Sequence, residues 1–314
     1  MGHCVILGGN GFLGSNLARG LLLKGHSVRV FCSINSQLNN LKDIIHNIDI
    51  IRGNFLSETD IREALAGIDY VFHYISTTTP ASSIHDPIFD VQTNIIGSLQ
   101  LFQIARDMRV KKIIFPSSGG TIYGDCTDDL IHEDHPINPQ NPYAISKSTI
   151  EHYLRYFHRL YGLPYLILRY SNPYGEGQNP RGKQGVIPIF INKIKKNEIL
   201  TIFGDGSAVR DYIYIKDAID ATISIFETDS IPSIYNVGSG VGTTLHEIID
   251  ILSHLAEKEI APRYVEDSDV YLKRVVLDIS KIHTATGWSP QTSIREGITK
   301  TWKYLYVQDM NDED

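Results

Sequence analysis

The chain has 314 residues, 42% of them hydrophobic, and a formal charge of −7. Its length exceeds one typical domain of ~100–200 residues, and the acidic balance excludes a general nucleic-acid or anionic-membrane binder, which would carry a basic stripe. Cys4, Cys32 and Cys126 show neither a disulfide framework nor a zinc knuckle, no apolar run nears the ~20 residues of a membrane span, and MGHCVILGG enters a strand pattern without a charged leader, so a cytoplasmic protein is expected.

Short apolar runs alternate with helical patterns through the first half. Candidate strands are 4–8, 28–32, 48–53, 69–75, 111–117 and 164–170. Candidate helices run from Phe12 to Lys24, with Leu13, Leu17 and Leu21 at i+4 spacing, then over 58–66, 87–109 and 143–161. Such alternation predicts an α/β fold, a Rossmann-like doubly wound parallel sheet covered on both faces. Past Gly175 the regularity fades into a long Gly/Pro/Asn-rich loop, 172–185. A helix over 186–197, strands at 199–203 and 209–215, and helices at 216–227 and about 243–258 predict a smaller mixed lobe. The expected division is 1–172 for the sheet domain, with parts of 205–240 returning to it, and 173–314 for the lobe. The tail DMNDED is expected to fray.

Three motifs carry chemistry. In LGGNGFLGSNL, Gly8, Gly11 and Gly14 follow the first strand and open the first helix, with Phe12 and Leu13 between them. Glycines there permit a tight turn and close approach of a pyrophosphate to the helix N-terminus. The acid expected at the end of strand two, to hold an adenosine ribose, is replaced by Cys32 and Ser33, which leaves NADP open beside NAD. Cys32 is expected to be a buried thiol.

Tyr143 and Lys147 are four apart and share a helix face, with Asn141 as cap and Pro142 at an early position. A neighbouring ammonium is expected to draw the phenol pKa down toward neutrality, making a general base for an alcohol. The third motif, FPSSGGTIYG at 115–124, ends an apolar strand in small polar groups, where open α/β sheets place ligands.

Taken together, GGNGFLGSNL, DYVFHYIS, TNIIGS, SSGGTIYG, NPYAISK, RYSNPYG, FGDGSAVRDYIYIKD, YNVGSG and ATGW span nearly the whole chain. They resemble the extended short-chain dehydrogenase/reductases, within them the NAD-dependent sugar epimerase/dehydratase group. The resemblance implies bound NAD, a nucleotide-diphosphate sugar substrate, and a homodimer joined through helices 87–109 and 143–161. It makes Tyr143 the base and Lys147 its partner, which also holds the nicotinamide ribose. It places Asn54 and Phe55 beside the adenine, Tyr74, Ile75 and Ser76 at the strand-four end under the cofactor, and Tyr170 near it. Ser76, Thr77 and Thr78 offer hydroxyls to cofactor or sugar, and Asn94 is either a site residue or a helix-bonded one. Asn172 and Arg210 would hold the diphosphate, with Arg263 or Arg274 as a second arginine.

Dehydratases and decarboxylases of this group usually carry an acid where this chain has Gly119-Gly120-Thr121, so 4-epimerisation through a 4-keto sugar is expected. The usual relaying hydroxyl falls at Gly119. Ser118 is therefore expected to relay the proton and Thr121 to touch the sugar. A keto-sugar reductase stays open, as does an NAD(P)-sensing protein without turnover.

Overall fold

The computed structural model describes residues 1–126, 128–182, 184–228, 232–266 and 272–311, with side chains to Tyr306. The last three residues of the acidic tail thus lie outside the described residues.

Seven strands form the main sheet: β1 (His3–Leu7), β2 (Ser27–Cys32), β3 (Asp49–Arg52), β4 (Tyr70–His73), β5 (Lys112–Ser118) and β6 (Tyr165–Tyr170), joined later by β10 (Ser233–Val237). Their order is β10-β6-β5-β4-β1-β2-β3, every neighbouring pair parallel. Residues alternate between two cores, so apolar side chains predominate on both faces of the sheet. Cys4, Ile6, Val28, Val30, Phe72, Leu166 and Leu168 face helices α1 (Phe12–Leu23) and, later in the chain, α8 (Ile215–Glu227). Val5, Leu7, Phe31, Val71, Ile113 and Ile167 face α2 (Glu58–Leu65), α5 (Gly97–Asp107) and α6 (Pro142–Tyr161).

Between β4 and α5 the chain forms α3 (Pro80–His85), α4 (Pro87–Asp90) and a π-helical segment, Val91–Ile96, that runs into α5. Helix α6 starts as its sequence indicates: the Asn141 side chain accepts from the Ala144 N–H at 2.9 Å, Pro142 opens the first turn, and Gly162 closes it at φ 71°.

The smaller lobe pairs β9 (Val209–Tyr214) with β7 (Asn172–Tyr174), β11 (Gly242–Thr243) and β13 (Arg274–Val275), antiparallel only to β11. Beside it β8 (Thr201–Phe203) pairs with β12 (Arg263–Val265). Helices α7 (Val186–Lys195), α9 (Leu245–Ala256), α10 (Ser280–Thr286) and α11 (Ile294–Asn311) complete the chain. One continuous core runs from the α1/α8 face of the sheet to Ile187, Phe190, Ile213, Ile248 and Trp302, tying lobe to sheet. The strand order reverses between β1 and β4, where a crevice opens at the carboxyl ends of the strands.

Candidate active site

At that reversal the glycine turn leaves no room for side chains. Gly8 adopts φ +82°, and a Cβ there would lie 3.1 Å from the Tyr74 and Ile75 backbone. A Cβ on Gly14 would come 2.5 Å from the Gly8 carbonyl oxygen. Gly11 caps α1 in an extended conformation with no side-chain bond, so the first-turn N–H groups, those of Phe12 and Leu13 among them, have no acceptor within the helix. Backbone donors, a helix dipole and an absent wall of Cβ atoms fit a dinucleotide pyrophosphate. Ser33 is exposed just beyond β2, and Cys32 is buried as expected. Arg52, at the end of β3, donates instead to the Ile34 and Ser36 carbonyls at 2.8 and 2.9 Å and holds this loop in shape.

The structure reassigns several residues around the crevice. Asn54 is exposed and its Oδ1 accepts from the Leu56 N–H, while the Phe55 ring turns inward against Gly97 and stacks 5.2 Å from His73. The Phe55 ring is thus packed inward, and Asn54 stays at the surface. Tyr74, too bulky to lie under a cofactor, points through the sheet: its hydroxyl meets that of Tyr170 at 2.8 Å, and Tyr170 in turn bonds Thr222 on α8. Tyr170 therefore spends its hydroxyl in the core. Only its carbonyl faces the site, accepting from the Gly120 N–H at 3.2 Å.

The hydroxyls after β4 are likewise turned inward. Thr78 donates to the Asp90 carboxylate and Thr77 bonds Thr93, while Ser76 is exposed and bonds the Thr78 carbonyl. Asn94 is part of this network: it donates to Asp90 and Thr78 at 3.0 Å and accepts from the Thr77 N–H at 3.2 Å. Ser146 on α6 also donates to Asp90, and Asp90 is fully buried. This buried carboxylate, which no local sequence pattern marks, anchors α6. It ends α4, immediately before the π-helical segment.

Beside it, Ser83 on α3 accepts from the Tyr143 N–H at 3.1 Å. The Tyr143 phenol lies at Ser118, whose oxygen accepts from the Thr121 hydroxyl at 2.9 Å. Lys147 is buried, donates to the Pro116 carbonyl at 2.9 Å, and stands 4.7 Å from the Phe115 ring centroid and 5.6 Å from that of Tyr143. Burial lowers its ammonium to about 8, against the opposing pull of Asp90 and Glu151. Burial also pushes the Tyr143 phenol up to about 12, the Ser118 hydrogen bond working against that and Asp90 with it. The expected acidification of Tyr143 by Lys147 is thus not met here, because Lys147 is directed at Pro116. A cation brought into the crevice would lower the phenol pKa.

Gly119 and Gly120 differ sharply. A Cβ on Gly119 would lie 2.7 Å from Leu277 Cδ1 and 3.1 Å from the Arg169 carbonyl, so the strand end is sealed there by packing. A Cβ on Gly120 would meet nothing nearer than Asn172 Oδ1 at 3.7 Å. Gly120 thus lies beside Asn172, and Asn172 is one of the residues lining a cavity of about 1160 Å³ in the lobe, together with Arg210, Phe203, Lys193 and Arg263 among others. Asn172 is fixed by donating to the Asp211 carbonyl at 2.8 Å. Asp211, next to Arg210, is fully buried and accepts from Ser239, Gly240 and Leu277. Arg263 reaches the cavity, whereas Arg274 donates to the Asp129 carbonyl at 3.3 Å.

Behind the floor, Arg169 and Glu151 form a buried two-point ion pair at 3.0 and 2.7 Å, and Arg169 also donates to the Tyr123 hydroxyl. The pair fastens β6 to α6 and to the end of 115–124.

A family model described as the NAD dependent epimerase/dehydratase family matches residues 4–238. The UDP-glucose 4-epimerase of Thermotoga maritima, solved with UDP-glucose, is 34% identical with a TM-score of 0.92, covering 98% of this chain and 99% of that one. The Thermus thermophilus UDP-glucose 4-epimerase, solved with NAD, is 32% identical with a TM-score of 0.88, over 97% and 99% of the two chains. A UDP-N-acetylglucosamine 4-epimerase from Methanobrevibacter ruminantium, in complex with UDP-N-acetylmuramic acid, is 32% identical with a TM-score of 0.91, over 98% and 99%.

Proposed function

The chain belongs to the NAD-dependent epimerase/dehydratase family, and on that premise we propose that it is a 4-epimerase of a UDP-sugar, a UDP-hexose or UDP-N-acetylhexosamine, working through a transient 4-keto sugar. The observation that carries this reading is a pocket floor offering only hydroxyls, Ser118 and Thr121, to the catalytic tyrosine. Bound NAD⁺ supplies a hydride acceptor for C4 and the source of the hydride returned to its other face. Tyr143 takes the proton of the 4-hydroxyl, relayed by Ser118, and gives it back to the opposite epimer. Thr121 orients Ser118 and contacts the sugar. Lys147 supplies a buried positive charge beside the base. Asn172, Arg210 and Arg263 anchor the diphosphate while the keto sugar turns over, and the large cavity gives it room.

Elimination of water needs a base for the C5 proton and an acid for the leaving hydroxyl. Gly119, Gly120 and Thr121 provide neither. The carboxylate that acts on Tyr143, Asp90, is fully buried and bonded by Thr78, Asn94 and Ser146, out of reach of a substrate. Incubation with UDP-glucose, UDP-N-acetylglucosamine and UDP-glucuronate, with and without added NAD⁺, tests the reading. A 4-epimer from one of them supports it, and a 4,6-dehydrated keto sugar overturns it.

The same reading includes a homodimer. Ile88, Phe89, Val91 and Ile96 before α5, and Tyr153, Tyr156 and Leu160 on α6, are exposed. The two helices pack side by side, so these residues make an apolar face of the kind that marks an association surface.

A further inference from the structure

Past Tyr123 the chain brings Cys126, Asp128 and His135 together, with one donor atom of each lying within 4.8 Å of the others. Cys126 Sγ is 3.0 Å from His135 Nε2, which is 3.7 Å from Asp128 Oδ2. His135 Nδ1 lies 2.9 Å from the Pro136 carbonyl oxygen. A carbonyl only accepts, so Nδ1 carries the proton and Nε2 turns its lone pair to the cluster. Metal-ligating histidines are oriented in the same way, by a carbonyl on the far ring nitrogen. Cys126 is also the one cysteine of the three that is not buried.

We propose that Cys126, Asp128 and His135 bind a divalent transition cation of the zinc class, with water completing a tetrahedron. A thiolate, an imidazole and a carboxylate suit a borderline-soft ion, whereas magnesium and calcium call for oxygen ligands throughout. Bonds of about 2.0–2.3 Å set tetrahedral donors about 3.3–3.6 Å apart. The Nε2–Oδ2 distance nearly fits, and the Sγ–Nε2 contact needs to open by about half an ångström. Binding deprotonates the Cys126 thiol and releases that proton to solvent, so affinity rises with pH.

The site would clip a segment already tied to the core beyond it. The Ile131 N–H donates to the Val276 carbonyl at 2.9 Å, and the Glu133 carbonyl accepts from Arg169 at 2.7 Å. It adds stability to the strap that follows the 115–124 segment.

Metal-stripped full-length protein is titrated with Co²⁺ and its absorption followed. The expected result is a thiolate-to-cobalt charge-transfer band and intense visible bands of tetrahedral cobalt, saturating at about one ion per chain and displaced by Zn²⁺. The near-isosteric Cys126→Ser variant loses the charge-transfer band, and Asp128→Asn and His135→Ala weaken binding by at least about 10-fold. Circular dichroism confirms that each variant is folded. Absence of the band in the wild-type protein, or its persistence in Cys126→Ser, overturns the proposal. Cys4 and Cys32 are both buried, so a sulfur band in a folded chain reports Cys126.

Discussion

Thr121 gives its hydroxyl hydrogen to the Ser118 oxygen across 2.9 Å, which leaves the Ser118 hydrogen available to the Tyr143 phenol. The two residues therefore act as an ordered pair in which one hydroxyl aims the other. Replacing Ser118 by Ala removes the proposed relay, and kcat is expected to fall by about 100-fold or more, the usual range for proton transfer. Thr121→Ala is expected to fall less and to raise KM as well. Steady-state kinetics decide this, and near-wild-type turnover in Ser118→Ala sinks the assignment.

Gly119 is the position at which the resemblance implied a relaying hydroxyl, and Leu277 leaves no room for a side chain there. A Cβ 2.7 Å from the buried Leu277 side chain forces a shift in a sealed part of the core. Gly119→Ser is expected to destabilise the fold by about 1–3 kcal/mol. In a double-mutant cycle Leu277→Ala should recover much of that loss, because the cavity it leaves accepts the new side chain. Denaturant midpoints measure both, and strictly additive effects would show that the clash is not between these two residues.

His73 makes stability depend on acid. It is buried between Phe55 and Phe115, bonded to Ser98 through Nε2, and burial lowers its pKa to about 3, with Lys147 adding to the shift. Between about pH 6.5 and 3 the unfolded chain binds a proton that the folded chain refuses. Stability therefore falls as pH drops through 6.5, by up to about 3–5 kcal/mol from this group. His73→Phe removes the titration, and Ser98 keeps its bond to the Asn94 carbonyl. Melting temperatures from pH 7 to pH 4 should decline less steeply in the variant, and an unchanged slope would assign the acid sensitivity elsewhere.

The proposed dimer is tested at Leu160, 53% exposed on α6. Leu160→Glu puts a charge into an apolar interface and should shift the mass measured by light scattering from dimer to monomer. A wild-type protein that elutes as a monomer removes the interface from the account.

Much of this architecture was legible in the sequence. Six strands and their covering helices followed from charge-poor runs alternating with helical periodicity, because strands buried on both faces carry a charge only where, as at Arg169, a buried partner matches it. Gly8, Gly14, Tyr143 and Lys147 stood out because their spacing is local, within one turn or one helix face. Asp90, Ser83 and the Tyr74–Tyr170–Thr222 chain did not, since each gains its meaning from a partner far along the chain. The orientations of the Phe55 ring and the Tyr170 hydroxyl were hidden for the same reason. Position at a strand end says which residues are near a crevice, and only packing says which way a ring turns.

The central claim is that only the configuration at C4 changes. Turnover in D₂O, followed by mass spectrometry of the recovered UDP-sugar, tests it most directly. The account predicts a 4-epimer of unchanged mass, with every carbon-bound hydrogen retained, because the hydride returns to the carbon it left. A product that has lost water and taken up solvent deuterium at carbon would contradict it.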